Sequence, residues 1–222
     1  MNKRTALITG ASKGIGKAIA SCFKAEGATV LTPSRSEMDM SDTSSIERYM
    51  GTVKGPIDIL VNNAGINKLA GLDEIEEEAL IETLQINLVA PVLLTKLVAE
   101  RMKANRYGRI VNISSIWSLV AKERRLAYAA SKSAMSGVTR TLALELGQYG
   151  VLVNSIAPGY VNTELTSQNN SPEQIKNICS NIPLERLAEP EEIAEVAAFL
   201  CSRKNSYMTG QVLVVDGGYV CR

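Results

Sequence analysis

The chain has 222 residues, 45% of them hydrophobic, which is enough to bury one sizeable core, and we expect one domain over residues 1–222. Its 24 basic and 23 acidic residues form no long run of one sign and give a formal net charge of +1, which excludes an extended electrostatic surface for nucleic acid or anionic membranes. The chain contains no histidine, which removes serine–histidine catalysis and most zinc chemistry, so we expect no metal site.

The four cysteines are scattered and form no Cys-x-x-Cys pair, so we expect reduced thiols rather than disulfides. The apolar run that begins at Thr5 is too short for the core of a signal peptide. No run reaches the roughly 18 apolar residues that a membrane span requires. These observations predict a cytoplasmic protein with neither a membrane nor a nucleic-acid partner.

Short β-branched runs alternate with longer helical patterns along the chain. This alternation is typical of βαβ units and predicts an α/β fold, in which a doubly wound parallel sheet binds ligands beyond the carboxyl ends of its strands. The pattern predicts strands near 5–9, 28–33, 57–61, 108–113, 151–156 and 211–215, and helices near 14–26, 43–53, 74–103, 128–149 and 190–202.

Residues 160–189 interrupt the alternation without a strand between them. A stretch of this length without regular packing usually serves as a lid or binding loop in a compact domain, so we interpret it as a substrate-loop segment. A surface excursion without function is the alternative.

A glycine-rich turn, Thr9-Gly10-Ala11-Ser12-Lys13-Gly14-Ile15-Gly16, joins the first predicted strand to the first predicted helix. Glycines there permit a tight turn and let a pyrophosphate approach backbone N–H groups at the start of the helix. Ordinary turn chemistry also explains them, so the motif by itself only favours nucleotide binding.

Further motifs follow in order: Asn62-Asn63-Ala64-Gly65, Asn87, Ser115, Tyr128-Ala129-Ala130-Ser131-Lys132, Pro158-Gly159 with Thr163, Thr209-Gly210-Gln211 and Asp216-Gly217-Gly218. Together with the Gly-x3-Gly-x-Gly spacing of the first turn, this order resembles the short-chain dehydrogenase/reductase family over essentially the whole chain. Within that family it is most similar to the 3-oxoacyl-[acyl-carrier-protein] reductases. The resemblance implies a Rossmann fold, an NADP(H) cofactor and oxidoreductase activity on a carbonyl/alcohol pair.

Tyr128 and Lys132 stand four residues apart and therefore share one face of their predicted helix. A lysine ammonium beside a phenol favours the phenolate, so we expect the pKa of Tyr128 to fall from about 10 and the tyrosine to act as acid and base near neutral pH. An isolated pair of this kind is more often a solvated helix face, and only the surrounding motifs reverse that preference.

The resemblance implies a role for each catalytic residue. Ser115 binds the substrate carbonyl oxygen, Tyr128 donates the proton, Lys132 also holds the nicotinamide ribose, and Asn87 positions a water. Ser114 is the competing serine, because a serine pair after a strand is common in turns, and the family spacing of about thirteen residues to the tyrosine selects Ser115. The implied cofactor contacts are Gly10, Ser12, Lys13, Gly14, Ile15, Gly16, Ser34, Arg35, Asp39, Met40, Asn63, Ala64, Gly65, Tyr128, Lys132, Pro158, Gly159, Val161 and Thr163.

The end of the second predicted strand bears on the choice between NAD and NADP. An NAD-selective site usually has an acidic residue there for the ribose hydroxyls, whereas Val30-Leu31-Thr32-Pro33-Ser34-Arg35 ends in Ser34 and Arg35. Lys13 lies on the same side in related enzymes, so two cations can neutralise a 2′-phosphate. We therefore expect a preference for NADPH, and two solvated surface bases are the alternative.

The chain departs from its family after this strand. A crossover between parallel strands needs a dozen or more residues, yet only Ser34-Arg35-Ser36-Glu37 precede Met38-Asp39-Met40-Ser41-Asp42, which resembles the family's adenine-contacting Asp-x-x-Asp element. We expect the third strand of the family and its preceding helix to be truncated or missing, with Asp39 still reaching the adenine.

The segment 116–127 holds the only tryptophan and three basic residues: Trp117, Lys122, Arg124 and Arg125. In the family this segment walls the substrate pocket, and we expect substrate contacts at Ser115, Trp117, Arg125 and Tyr160. Arg125 would then face an anionic substrate or an acidic carrier protein. Solvated loop charges without a function are an equally common outcome.

These features predict an NADPH-dependent ketone reductase whose substrate is a 3-oxoacyl group on a carrier protein, or else a small carbonyl or sugar-derived metabolite. A protein that senses NADP(H) without turnover is the alternative from another class, and the complete catalytic set argues against it. By resemblance we also expect a homodimer or homotetramer that pairs through the helices near 74–103 and 128–149.

Overall fold

The computed structural model describes Met1 and residues 3–221. At its centre lies a six-stranded parallel sheet in the order β2-β1-β3-β4-β5-β6. The strands are β1 (Thr5–Ile8), β2 (Thr29–Leu31), β3 (Ile59–Asn62), β4 (Gly108–Ile113), β5 (Val151–Pro158) and β6 (Val212–Val215). Each overlaps a predicted strand, and the doubly wound α/β fold is confirmed.

Helices connect the strands and cover both faces of the sheet. They are α1 (Gly14–Ala25), α2 (Thr43–Thr52), α3 (Glu77–Leu84), α4 (Ala90–Asn105), α5 (Leu126–Gly147), α6 (Glu164–Asn169), α7 (Pro172–Ser180) and α8 (Pro190–Cys201). Helices α1 and α8 pack together on one face, and α4 and α5 cover the other.

Two apolar cores lie on opposite faces of the sheet, because successive side chains of a strand point to opposite sides. Ile8 and Val61 pack toward α1 and α8, whereas Leu7 and Leu60 pack toward α4 and α5. All four side chains are fully buried, as expected for a parallel sheet with helices on both faces.

The shortened segment after β2 changes the edge of the sheet. Strand β2 is the edge strand, and among the described residues no further strand pairs with its outer side. The chain passes through a short loop into α2, and Met38 and Met40 of that loop are buried in the same core as Ile46 of α2. The structure thus lacks the third strand of the family and the helix before it, as the spacing predicted.

The predicted helix near 74–103 is divided by a wider turn. Helix α3 is followed by a π-helical turn, Gln85–Val89, and then by α4. Such a turn inserts one extra residue into the helix and is frequent at functional sites. Here it contains Asn87, whose side chain it directs toward the loop after β3.

The run Glu77–Asn105 is long and apolar enough to cross a membrane, judged by length and composition alone. In the structure it packs against the sheet, where Leu94, Val98 and Met102 are completely buried in the core. The run is therefore a core element of this fold rather than a membrane span.

The segment 160–189 contains two helices that the sequence pattern did not predict. In α6, Thr163 is the N-cap, and its side chain accepts a hydrogen bond from the backbone of Thr166. Helix α7 begins with a capping box in which Ser171 and Gln174 bind each other's backbone N–H groups. Both helices are too short for periodicity to reveal them, and the expectation of a segment without regular structure is wrong.

Candidate active site

A cavity of about 580 Å³ lies at the carboxyl ends of the strands. The loops that follow β1, β2, β3, β4 and β5 all contribute to its lining. Because β2 is at one edge of the sheet and β5 is near the other, the cavity extends across most of the sheet, where ligands bind in open α/β folds. Every predicted site residue lines this cavity except Asn87.

The glycine-rich turn forms one wall and depends on the absence of side chains. Gly10 and Gly14 have positive φ angles of 64° and 54°. A Cβ at Gly16 would lie 2.4 Å from both Asn63 Nδ2 and the Gly10 carbonyl oxygen. The Asn63 amide donates to the carbonyl oxygens of Thr9, at 2.9 Å, and Gly10, at 3.0 Å, so the turn is held against the end of β3.

Thr9 contributes to the same junction and was not singled out from the sequence. Its buried Oγ1 accepts hydrogen bonds from the backbone N–H groups of Asn63 and Ala64, both at 3.0 Å. The sequence did offer a signal for this role. Thr9 is a hydroxyl residue directly after β1, and the neighbouring strand β3 ends at the same edge of the sheet.

The N-terminus of α1 is suited to a phosphate. Its N-cap residue, Lys13, makes no capping hydrogen bond through its side chain, and the first turn contains no acidic residue. The first N–H groups of a helix lack partners within the helix and carry positive partial charge. The turn therefore presents backbone donors and no competing carboxylate of α1 to the cavity, and these groups fit a dinucleotide pyrophosphate.

The two serines after β4 have different environments. The buried Ser114 hydroxyl donates to the backbone oxygen of Lys132 at 3.2 Å and so joins β4 to α5. The Ser115 hydroxyl accepts from the backbone of Trp117 at 3.3 Å and lies beside the Tyr128 phenol. Because Ser114 is engaged with the helix backbone, the structure favours Ser115 as the serine that meets a substrate.

Tyr128 lies in the first turn of α5 and lines the cavity. Burial raises the pKa of its phenol above the ordinary value, while the nearby Ser115 hydroxyl and the charge of Arg125 act in the opposite direction. The expectation that the pKa falls is therefore wrong for the protein as described. A raised pKa keeps the phenol protonated near neutral pH, which suits a proton donor.

Lys132 stands one turn after Tyr128 and is almost completely buried. Its Nζ donates to the Ile113 carbonyl oxygen at 2.7 Å and lies 5.5 Å from the centre of the Tyr128 ring. Burial lowers the pKa of this lysine from 10.5 to about 8. It remains mostly charged at neutral pH, one helix turn from the proposed proton donor.

Asn87 acts through other residues, because it does not line the cavity. Its Oδ1 accepts from the backbone N–H of Ile66 at 2.9 Å, and its Nδ2 donates to the Ile66 carbonyl oxygen at 2.9 Å and to Ser131 Oγ at 3.1 Å. Ser131 in turn donates to the Tyr128 carbonyl oxygen at 2.7 Å. Both amide hydrogens are thus used within the protein, and through Ser131 the Asn87 side chain is linked to the first turn of α5. The expected role of Asn87 with a water stays a prediction.

At the β2 end of the cavity, an acidic residue that was not predicted as part of the site, Glu37, lies beside Ser34. The Glu37 carboxylate accepts hydrogen bonds from the backbone N–H and the hydroxyl of Ser34, both at 2.8 Å, and these bonds lower its pKa. Arg35 Nε donates to Asp39 at 3.2 Å. Ser34, an expected cofactor contact, and Arg35, expected at a 2′-phosphate, are therefore both paired with carboxylates.

Helix α6 lies over the glycine turn. The Lys13 ammonium forms an ion pair with Glu164 at 2.6 Å, and both side chains are more than half exposed. A Cβ at Gly14 would be 3.2 Å from Thr163 Cγ2. The segment 160–189 therefore contributes to the cavity at two places. Its α6 end lies against the glycine turn, and Tyr160 lies near Tyr128.

Three aromatic rings meet near Tyr128, and two of them, Trp117 and Tyr160, line the cavity. Trp117, Tyr160 and Tyr219 meet edge to face, with ring centres 5.5 to 6.2 Å apart. The Lys122 ammonium donates to the Tyr160 hydroxyl at 2.8 Å. Tyr219 was not predicted from the sequence, because its distance along the chain from the other two rings hides the contact.

The Asp216-Gly217-Gly218 motif holds the C-terminal turn that carries Tyr219. The Asp216 carboxylate accepts from the backbone N–H groups of Gly218, at 2.9 Å, and Val220, at 2.8 Å. Gly217 has a φ of 65°, and a Cβ there would lie 2.8 Å from Ile182. The glycines thus let this turn pack directly on the segment 160–189.

The fold and this site are those of a dinucleotide-binding oxidoreductase, and comparison with known proteins agrees. A family model described as Enoyl-(Acyl carrier protein) reductase matches residues 32–220. The chain belongs to the short-chain dehydrogenase/reductase family and is an oxidoreductase that acts on the CH–OH/C=O pair.

Two curated relatives illustrate the similarity in sequence. The chain is 37% identical over 242 residues to the 3-oxoacyl-[acyl-carrier-protein] reductase FabG of Thermotoga maritima, with 98% of each chain covered. It is 35% identical over 236 residues to the protein of the same name from Vibrio harveyi, with 97% of this chain and 96% of the relative covered.

Solved structures are similar over the same extent. A protein from Beutenbergia cavernae, provisionally assigned as an NAD(P)-dependent gluconate 5-dehydrogenase and solved with NADP at low occupancy, has a TM-score of 0.94 at 37% identity and covers 100% of this chain and 98% of its own. A 4-hydroxyisoleucine dehydrogenase complexed with NADH has a TM-score of 0.94 at 30% identity, with 99% of this chain and 100% of its own covered.

Proposed function

We propose that this protein transfers a hydride between NADP(H) and a ketone or secondary alcohol, with Ser115, Tyr128 and Lys132 at the reacting carbonyl. The observation that carries the proposal is that these three side chains line the same cavity as the uncapped N-terminus of α1. One cavity therefore offers a phosphate site and a protonated phenol, which a nucleotide-sensing protein without turnover would not need.

The chain's own groups account for most of the cofactor contacts. The glycine turn and the start of α1 would bind the pyrophosphate, Lys132 the nicotinamide ribose, and Asp39 the adenine side. Arg35 and Lys13 are the cations available for a 2′-phosphate, each by exchanging its present carboxylate partner for the phosphate. One solved relative contains NADP and another NADH, and these two cations favour NADP(H) for this chain.

When bound, the nicotinamide supplies or accepts the hydride, and the protein handles the proton. The Ser115 hydroxyl donates a hydrogen bond to the carbonyl oxygen, and Tyr128 donates its phenolic proton as that oxygen becomes an alkoxide. The buried ammonium of Lys132 then stabilises the phenolate that Tyr128 leaves behind. Asn87 and Ser131 fix the first turn of α5, so that the phenol points into the cavity.

The substrate is a ketone, either on a carrier protein, as the names of the FabG relatives state for those proteins, or as a small metabolite. We also propose a cytoplasmic location and a homodimer or homotetramer. Exposed apolar side chains support this assembly. They lie on the helices that were predicted to pair, where Ile81 of α3 is 56% exposed and Leu144 of α5 is 84% exposed.

The test replaces Tyr128 by phenylalanine, which removes only the phenolic oxygen. We expect turnover of ketones with NADPH to fall by about 100-fold or more, while NADPH binding measured by fluorescence titration is retained. Tyr207→Phe is the matched control, because Tyr207 is 96% exposed. Near-normal turnover by Tyr128→Phe, or no turnover of any ketone or alcohol by the unaltered protein, would contradict the proposal.

A further inference from the structure

Arg125 is a buried cation without a partner in the cavity. It is only 6% exposed and lines the cavity together with Ser115 and Tyr128. Its Nε is fully buried without a hydrogen-bond partner, and within the described part of the chain its guanidinium takes part in no hydrogen bond or ion pair. Removing a charge from water without compensation is costly, so such a group is expected to have a ligand.

The surroundings of Arg125 add positive charge, and among the described residues no carboxylate forms an ion pair with it. Its guanidinium lies 5.4 Å from the centre of the Trp117 ring, and the Lys122 ammonium lies 5.9 Å from the same ring. Burial lowers the pKa of Lys122, and the nearby charge of Arg125 lowers it further. Neither cation forms an ion pair among residues 1 and 3–221. An anion that enters the cavity beside Arg125 would offset this accumulation of positive charge.

The position of Arg125 on α5 sets where that anion lies. Arg125 is the N-cap residue of α5, and Tyr128 follows three residues later. Residues so spaced on a helix have Cβ atoms about 5–6 Å apart on the same face. An anionic group bound by Arg125 is therefore only a few bonds from the substrate carbonyl carbon whose oxygen Tyr128 protonates. The positive partial charge at the N-terminus of α5 also attracts this anionic group.

We propose that Arg125 binds a carboxylate of the substrate, so that the preferred substrates are small oxo acids and the corresponding hydroxy acids. This inference rests on the proposed function, because it places the carboxylate relative to Tyr128. A carrier protein is a poorer match for Arg125, since the acidic surface of a protein cannot enter the cavity and the buried guanidinium cannot reach outside it. The carbonyl end of a thioester-linked acyl chain, in turn, carries no negative charge.

Arg124 provides a matched control on the neighbouring position. Its guanidinium is about half exposed and is paired with Glu74, at 2.9 Å and 2.5 Å for the two hydrogen bonds. It does not line the cavity. Arg124→Met and Arg125→Met therefore remove the same charge from adjacent residues, one on the surface and one inside the site.

The experiment compares oxohexanoic acids that differ in the position of the ketone with the amide of each acid, at saturating NADPH. We expect the unaltered protein to reduce at least one acid with a higher kcat/KM than its amide. In Arg125→Met, kcat/KM for that acid should fall by about 10- to 150-fold, the loss of one charge-assisted hydrogen bond. The amides should change by less than about twofold in this variant, and Arg124→Met should leave both series unchanged.

A second measurement needs no variant. Propanoate should inhibit the turnover of a neutral ketone by the unaltered protein competitively, and propanamide should not.

The outcomes separate this inference from the proposed function. If the unaltered protein reduces amides as well as acids, or if Arg125→Met affects both series equally, the carboxylate site is refuted while ketone reduction stands. A 3-oxoacyl carrier protein that is reduced far better than every acid, with no effect of Arg125→Met, also refutes it. If no ketone of either series and no carrier-linked ketone is reduced, the proposed function itself fails.

Discussion

Replacing Lys132 by methionine tests how the active-site charge affects the stability of the fold. The pKa of Lys132 falls from 10.5 to about 8, because burial penalises the ammonium. Each unit of difference corresponds to about 1.4 kcal/mol, so the buried charge costs roughly 3 kcal/mol of unfolding free energy when the lysine is protonated in both states.

The sign of the pH dependence follows from that lowered pKa. Between about pH 8 and about pH 10.5 the unfolded chain binds more protons at this lysine than the folded protein does, so stability rises with pH across that window. Below about pH 8 the full cost of the buried charge is present, and above about pH 10.5 it is gone. The free energy of unfolding of Lys132→Met lacks this pH-dependent part. The variant also loses the hydrogen bond to Ile113, which shifts its free energy of unfolding by the same amount at every pH.

The assay is urea unfolding without cofactor, analysed by linear extrapolation at several pH values from about 7 to about 10.5. We expect the unaltered protein to gain about 3 kcal/mol relative to Lys132→Met over this range. Titration of the other groups is common to both proteins and cancels in the difference. Lys17→Met, at an exposed lysine of α1, should follow the unaltered protein at every pH. Parallel curves for the unaltered protein and Lys132→Met would refute the reasoning.

Two further predictions concern the cofactor region. Gly16→Ala places a Cβ 2.4 Å from Asn63 Nδ2 and from the Gly10 oxygen, and we expect it to destabilise the protein by about 1–3 kcal/mol and to weaken NADPH binding. Gly137→Ala, in α5 with nothing within 4 Å of the added Cβ, should stabilise the protein by about 0.5–1 kcal/mol. Urea unfolding of both variants checks this, and equal effects of the two changes would contradict it. Glu37→Gln should raise the ratio of kcat/KM for NADPH over NADH by removing a carboxylate from Ser34, and Arg35→Asp should lower it. A ratio unchanged in both variants would exclude this loop from cofactor choice.

The sequence was sufficient for the sheet and for most of the cavity lining. Parallel strands buried on both faces leave continuous apolar runs such as residues 59–61 of β3. The polar residues that follow such runs must meet at the carboxyl edge of the sheet. For that reason residues as distant along the chain as Ser12 and Tyr160 could be assigned to one site. The short segment between β2 and α2 also predicted the missing strand, because chain length sets a hard limit on a crossover.

Features that depend on packing between distant segments could not be predicted. The π-helical turn at Asn87 leaves no periodic signal, and the contact of Tyr219 with Trp117 depends on how the C-terminal turn folds back. The pKa of Tyr128 was expected to fall on account of Lys132, but burial dominates it, and burial depends on every element around the cavity. Glu37 was missed because its contact with Ser34 arises within the shortened loop.

The turn at Asp216 has a practical consequence for work with this protein. Because Tyr219 packs against Trp117 and Tyr160, which line the cavity, and Gly217 packs on Ile182, this turn helps to fix the space beside Tyr128. Changes in this turn, although it is far from Tyr128 along the chain, are therefore expected to alter which ketones are accepted.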